Sequence, residues 1–367
     1  MTCSAGLVWG VVSSETGELH MTYKVIQWGT GNLGRLAVQT VLKHPDLDLV
    51  GTWVSSADKA GRDVGDLCGT EKIGLLATQD TAALIESDAD CVCYAAASTG
   101  RDDEVVDDCI RLLRAGKNVV NVSDPALVYP KAKEGDIFDR LQDACVVGAS
   151  SFYTNGGDPG WAGFGLALAP LTVAQEVRSI RMLEIYNYGP WNNPQLGFFG
   201  FGAPDTSSSM MLASGVTSSI WGPTVAMVAD AMGVNLDGIE EAHRVIYAED
   251  DFEIASGVIS KGTVSGMSFE IKGMVAGEPR IVVEHITKLR HEDFPEHGLD
   301  DVYRVIIEGE PNIKVDMWLT SDFGNTTHAG YLVAVTPVIN AIPAVCQAAP
   351  GVLTYLDMPH YGTRGLI

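Results

Sequence analysis

Positive charge is scarce in this sequence. Its 367 residues hold 24 Lys and Arg against 47 Asp and Glu, a formal charge of −23 at pH 7. So acidic a chain is poorly suited to neutralise a nucleic-acid backbone or an anionic lipid surface, and neither is expected as a partner. It also repels anionic cofactors at long range. Any phosphate must be held by backbone donors and a few well-placed cations. Uninterrupted apolar runs of the ~18 residues needed to cross a membrane are missing too. The longest apolar stretch, 329–349, is broken by Gly330, Pro337, Asn340, Pro343 and Gln347 and reads as a buried helix. The seven cysteines are an odd, scattered set without a CxxC pair, which fits free thiols in a reducing, cytoplasmic compartment. Residues 1–20 carry no Lys or Arg before the apolar 6–12 stretch, so they make a poor secretory signal. Histidines with zinc-site spacing are also lacking. His291 and His297 lie in a charged segment that reads as a solvated loop, and no metal is expected.

What is present is a globular composition, 46% hydrophobic and 19% charged, in a chain long enough for two domains. After an N-terminal extension (1–22), residues 23–152 alternate short apolar runs with helical patterns. The strand candidates are 23–28, 47–54, 91–96, 118–122 and 145–149. Between the first two, Leu33, Ala37 and Val41 recur on one helical face, and Val106, Cys109, Ile110 and Leu113 do so later. Strand–helix alternation of this kind implies a doubly wound parallel sheet of Rossmann type. From 153 to 327 the pattern changes. Helices are predicted at 159–170 and 207–233, the second interrupted at Trp221-Gly222-Pro223. Strands are predicted at 176–188, 251–258, 263–275, 280–288, 303–308 and 313–319. Strands in succession point to an antiparallel sheet in a second, α+β domain. A last helix at about 328–348, within a terminal segment 328–367, is expected to return to the first domain. The fold class is therefore α/β: a Rossmann sheet plus an α+β domain.

The motif with the most chemistry is Gly29-Thr30-Gly31-Asn32-Leu33-Gly34, a GxGxxG turn that follows a strand and opens a helix. In that context Gly29 permits a tight turn, Gly31 lets the backbone approach a pyrophosphate, and Gly34 lets helix and strand pack. The helix N-terminus offers amides and partial positive charge to the phosphates. About 20 residues on, where an NAD site places Asp or Glu on the ribose, stand Ser55 and Ser56, followed by Asp58, Lys59 and Arg62. Hydroxyls and cations suit a 2′-phosphate, so NADP(H) is preferred, with Asp58 leaving NAD(H) open. The alternative is that Lys59 and Arg62 are ordinary solvated charges.

In an open α/β sheet, ligands bind past the C-terminal strand ends. Three loops arrive there. The first includes Ala96, Ala97 and Ser98, small enough to lie against a cofactor. The second follows Asn121 and carries Asp124. The third runs from Asn155 to Trp161, with amides free to hold a cofactor carboxamide or a substrate oxygen.

Several stretches carry a family resemblance: YKVIQWGTGNLGR at 23–35, GRDVGDL at 61–67, AGKNVV at 115–120, DPG at 158–160, GFG at 200–202, THAG at 327–330 and NAIP at 340–343. Together they resemble the dihydrodipicolinate-reductase-like oxidoreductases, in the branch of 2,4-diaminopentanoate dehydrogenase and the native amine dehydrogenases. The resemblance implies a Rossmann domain with an α+β domain, a homodimer, and reversible conversion of an amine to a ketone or aldehyde plus ammonia. It also implies a carboxylate for the amino group at the position of Asp124. The family has glutamate there, one methylene longer.

An anion beside the reacting carbon stabilises an iminium or ammonium, so Asp124 is the catalytic candidate. Its ordinary alternative is a turn-forming Asp before Pro125. Glu104 reads as a first-turn helix residue and Asp158 as an N-cap. Between Arg181 and Arg244 there is no Lys or Arg, but there are Tyr186, Tyr188, Trp191, Phe198, Phe199 and Phe201. A keto-acid or amino-acid enzyme normally clamps the carboxylate with a cation. An aromatic wall including Tyr188 and Trp191 fits a neutral ketone or aldehyde, or a cationic amine. Core or dimer interface is the alternative for these rings. His328, in the THAG stretch, is either a cleft residue or a helix cap. The expected activity is amine dehydrogenase. The alternatives are an NADP-dependent ketone reductase or alcohol dehydrogenase on the same scaffold, and a non-catalytic NADPH-binding protein.

Overall fold

The computed structural model describes residues 21–192, 194–298, 301–323 and 326–364. The expected extension at 1–20 lies outside them.

The first half forms β1 (Tyr23–Trp28), α1 (Asn32–Val41), β2 (Leu47–Trp53), α2 (Val64–Cys68), α3 (Thr81–Glu86), β3 (Cys91–Tyr94), α4 (Asp102–Arg114), β4 (Asn118–Asn121), α5 (Ile137–Gly148) and β5 (Ser151–Thr154). The strands are short and apolar because helices cover both faces of the sheet, so β3 and β5 are buried at every position. With β14 (Gly351–Leu353), they make a six-stranded sheet of order β14-β5-β4-β3-β1-β2, parallel throughout. The strand order reverses beside β1, and the glycine turn sits at the end of that strand, at the switch point where α/β sheets bind ligands.

α4 illustrates local sequence dictating an element. Its first turn holds Asp102, Asp103 and Glu104 and its last Arg111 and Arg114, charges matched to the helix dipole, while Val105, Val106, Cys109, Leu112 and Leu113 face inward. Glu104 is thus the first-turn residue it was read to be. The strand expected at 145–149 is instead the last turn of α5. Leu141, Ala144 and Cys145 are buried at helical spacing, while Val146 and Val147 are 61% and 70% exposed. Ala149 ends the helix with φ +50°, and the strand begins two residues later.

The second half contains α6 (Leu166–Leu171), β6 (Glu176–Asn187), α7 (Val216–Met232), β7 (Gly238–Tyr247), β8 (Phe252–Ile254), β9 (Gly257–Ile259), β10 (Val264–Val275), β11 (Glu278–Lys288), β12 (Val302–Glu310), β13 (Ile313–Met317) and α8 (Thr326–Gln347). Six of these strands form a sheet of order β13-β12-β6-β11-β10-β7. It is mixed, not antiparallel as expected, because β6 and β11 at its centre run parallel. Residues 188–277, which include α7, separate these two strands, and only such a long connection permits parallel pairing. β7 escaped the sequence reading because it is a polar edge strand, half-exposed or more along its length. The expected strand at 251–258 is the small β8–β9 hairpin. α7 begins later than expected, after short 3-10 turns at 206–212, and runs unbroken through Pro223. It lays Trp221, Val225 and Val228 on the sheet face formed by Ile180, Met182, Phe269, Ile271, Ile281 and Val283.

α8 meets the length and apolarity of a membrane span over Thr327–Gln347. In the fold its Val335, Val338, Ile339, Ile342 and Val345 are fully buried against Val25, Ala37, Val41 and Val120 of the first sheet and α1. It also passes the segment that follows β5, and so helps to wall the cleft between the two sheets. The six described cysteines are all free, five of them buried.

Candidate active site

At the glycine turn, Gly29 has φ +101°, and a Cβ there would lie within 3.0 Å of Ala95 O and of the Ala96 backbone. A Cβ on Gly34 would sit 2.1 Å from Gly29 O. These two glycines are demanded by the protein's own packing. Gly31 is different: nothing lies within 4 Å of a Cβ there, and its backbone is extended at φ −75°. α1 opens without a side-chain cap and without an acidic residue in its first turn, so its amides are free for an anion. This open cradle fits a dinucleotide pyrophosphate. The Lys59 ammonium reaches Thr30 O and Oγ1, both at 3.3 Å, which puts a cation beside the turn. Arg62 is exposed. The Ser56 hydroxyl donates to Asp58, and Ser55 O accepts from Gln79 Nε2 at 2.8 Å. Ala96 is buried and Ala97 exposed, while Ser98 Oγ donates to Ser123 O at 2.7 Å, linking two loops at the sheet's edge. Asn121 is buried and saturated: its amide donates to Thr154 Oγ1 and Asp124 O and accepts from Ser123 N.

A cavity of about 310 Å³ runs from this turn into the second domain. Leu33 of the glycine motif, Ser123 and Gly157 line it together with Tyr188, Trp191, Phe199 and Trp221. The Tyr188 and Trp191 rings pack tilted at 47°, 4.7 Å apart, and Trp191 lies 5.4 Å from Tyr331 of α8. No Lys or Arg is among the described residues that line it.

The charged groups that do line it are Asp158, Glu184 and His285. Their side chains are 4%, 6% and 3% exposed. His285 Nε2 lies 2.8 Å from Glu184 Oε1 and 4.0 Å from Asp158 Oδ2. The Tyr188 hydroxyl donates to Glu184 Oε1 at 2.6 Å, and His285 Nδ1 pairs with Thr287 Oγ1 at 3.0 Å. Burial alone would raise Glu184, but the charge and hydrogen bond of His285, helped by Tyr188 and Tyr303, hold it below the usual carboxylate range. Burial lowers His285, but the charge and hydrogen bond of Glu184, with the charge of Asp158, outweigh it and hold the ring above the usual histidine range. Asp158 has weaker help, from the more distant His285 charge and the Trp221 indole. Burial first, and then the Glu184 charge, push it up to about 7. Its Oδ1 and the Trp221 indole N–H are both buried without a hydrogen bond of normal geometry. The trio has donors that a divalent cation uses, with ligand atoms within 4.8 Å of one another. However, Nε2 and Oε1 are already spent on each other, and the arrangement is that of an ion pair beside a carboxyl that burial raises toward neutral.

Sequence reasoning missed Glu184 and His285. The signal was a polar residue breaking an inward-facing row: Ile180, Met182, Glu184, Tyr186 on β6 and Ile281, Val283, His285, Thr287 on β11. Asp158 was read as an N-cap. The structure gives it extended backbone and a buried carboxyl that caps nothing. Asp124 does not reach the cavity, although its neighbours Ser123 and Pro125 do. Its Oδ1 accepts from Ala126 N at 3.0 Å and caps the short turn at Pro125–Val128. Burial raises its carboxyl. Asn155 is not on the wall either. It is fully buried, donating to the Tyr153 and Tyr361 hydroxyls at 2.8 and 2.9 Å. Trp161 lines a separate apolar cavity with Val333 and Tyr355. His328 packs against Phe323 at 4.7 Å, away from the cavity. Of the expected substrate-site residues, Tyr188 and Trp191 are the two that line it.

Residues 166–363 match the model of the 2,4-diaminopentanoate dehydrogenase C-terminal domain. An amine dehydrogenase of Streptomyces virginiae is 34% identical over 91% of this chain and 95% of its own length. The 2,4-diaminopentanoate dehydrogenase of Acetoanaerobium sticklandii is 24% identical over 92% and 93%. Among solved structures, an amine dehydrogenase from Mycobacterium smegmatis superposes with a TM-score of 0.76 at 19% identity, covering 94% of this chain and 98% of that one. That likeness extends the agreement to the whole two-domain fold.

Proposed function

Since the chain belongs to the 2,4-diaminopentanoate dehydrogenase family of oxidoreductases, we propose that it is an NAD(P)H-dependent amine dehydrogenase joining ammonia to a small, largely apolar ketone or aldehyde, and running the reverse deamination. The observation that carries this reading is the lining of the cavity beside the glycine turn: aromatic walls, two carboxylates and no Lys or Arg. A keto-acid enzyme needs a cation for the substrate carboxylate. A site that handles ammonium and an alkylammonium product needs a carboxyl able to ionise beside it and apolar walls, and Asp158 with the aromatic lining supplies them.

The dinucleotide, when bound, supplies the hydride. The amides at Gly31, Asn32 and Leu33 are the donors for its pyrophosphate. Lys59 and Arg62, with the Ser55 and Ser56 hydroxyls, favour a 2′-phosphate and hence NADP(H), with NAD(H) accepted. Tyr188, Trp191 and Phe199 exclude water and set the size of the carbonyl substrate. The exposed Trp318 and Phe323, 57% and 79% accessible, fit the homodimer expected for the family; light scattering on the purified protein tests that state. The activity is tested by NADPH consumption over a panel of small ketones and aldehydes, with and without ammonium. Turnover should require ammonium. Equal rates without it would replace this reading with a carbonyl reductase.

A further inference from the structure

The geometry points to Asp158 as the group that moves protons during the reaction, with the Glu184–His285 pair as the fixed charges that position and tune it; this rests on the amination reading above. Asp158 lines the cavity, its carboxyl is 4% exposed, and its Oδ1 makes no hydrogen bond of normal geometry within the protein. A buried carboxyl oxygen left unpaired costs stability unless a ligand completes it. Its backbone also favours this orientation. Gly163, directly behind, has no side chain, and a Cβ there would stand 3.0 Å from Oδ1. Glu184 is the opposite case. It is engaged by His285 and Tyr188, which in turn are held by Thr287 and by a tilted ring contact with Trp191. A carboxylate so fully bonded is a poor proton carrier and a good fixed charge.

The groups facing Asp158 are Glu184 and Tyr188 at the end of β6, His285 on β11, Tyr303 on β12 and Trp221 on α7. Glu184 and His285 hold each other as a pair, so Asp158 is the carboxyl of the cluster whose proton is free to move near neutral pH.

The proton balance follows. As carboxylate, Asp158 takes a proton from ammonium and frees the nitrogen lone pair to form the C–N bond, while the carbonyl π pair moves onto oxygen and a nitrogen proton follows it. As acid, it returns its proton to the carbinol oxygen. The C–O bond then breaks with its electron pair, and water leaves. The resulting iminium lies beside an ionised carboxylate until it accepts the hydride, and one further solvent proton gives the alkylammonium product. The net consumption is one carbonyl, one ammonium, one hydride and one proton.

The test is the pH profile of the full-length enzyme with Asp158→Asn and Glu184→Gln. The wild-type rate should show a limb with a midpoint near 7. Asp158→Asn should lose that limb and about 100-fold or more in kcat/KM, with NADPH affinity by fluorescence titration unchanged. Glu184→Gln removes a charge that holds the Asp158 proton on, so the limb should move to lower pH. Infrared titration of the wild-type protein without substrate should show a protonated carboxyl band lost near neutral pH and missing in Asp158→Asn. An unchanged limb and rate in Asp158→Asn, or no such band, overturns the assignment of Asp158. Turnover that ignores ammonium overturns the amination reading, while the band still reports on Asp158.

Discussion

Replacing Gly31 with Asn separates cofactor binding from folding. Gly29 and Gly34 are hemmed in by backbone, so substitutions there damage the turn itself. At Gly31 the backbone is extended and a Cβ meets open space, so Asn enters without strain. Asn is also at least as good an N-cap as Gly. Its side chain can accept from the first free amides of α1, and stability should hold steady or rise by a few tenths of a kcal/mol. Those amides are the donors required by a pyrophosphate, and the new side chain stands where the phosphates must approach. Hydrogen bonds to a charged group are worth about 1.5–3 kcal/mol each. Losing two of them weakens NADPH binding by roughly 100-fold or more. The assay is a fluorescence titration of NADPH beside a thermal melt. An unaltered melt with a large loss of affinity is expected. Undiminished affinity would refute the glycine turn as the pyrophosphate site.

Three further outcomes are expected. Arg62→Ala and Lys59→Ala should weaken NADPH roughly tenfold while leaving NADH nearly unchanged, as the loss of a charge-assisted contact of about 1.5 kcal/mol requires; equal effects on both cofactors would remove these residues from the 2′-phosphate site. Asp124→Ala should cost about 1 kcal/mol through loss of its cap, with turnover kept; lost turnover with NADPH binding intact would return the ammonium-binding role to Asp124. Stability should also depend on Asp158. An acid whose folded pKa is raised binds its proton more tightly in the native state, so the native state loses stability as pH rises from the unfolded value toward about 7. His285, also raised, loses its contribution above its ordinary value, whereas the lowered Glu184 loses its own in acid. Thermal melts should therefore decline from about pH 5 to pH 8, and Asp158→Asn should flatten that decline by on the order of 3 kcal/mol.

The parts legible in the sequence were those encoded by neighbours. The parallel sheet followed from apolar runs alternating with helices, and α4 declared itself by its charged ends and apolar stripe. Where local pattern was ambiguous, the reading slipped. The Cys145–Val147 run is as apolar as a strand but closes α5, and β7 is too polar to announce itself although it pairs along β10. At the site, Tyr188 and Trp191 were found because aromatics without cations stand out in composition. Asp124 was favoured because it follows a strand at the sheet's binding edge, but backbone geometry folds its carboxyl onto Ala126 N.

The sequence by itself determined the glycine turn, because the glycines at 29, 31 and 34 lie within one strand–turn–helix, although Gly29 is also pressed by Ala95 and Ala96. Tertiary structure alone decided the reactive cluster. Asp158, Glu184 and His285 come from a loop and two strands over a hundred residues apart. They meet only because β6 and β11 pair side by side at the centre of a mixed sheet, in a register that sets Glu184 opposite His285. Burial raises both carboxyls, but His285 pulls Glu184 back down as its ion-pair partner and leaves Asp158 near neutral, since the free energy of a charge depends on what surrounds it.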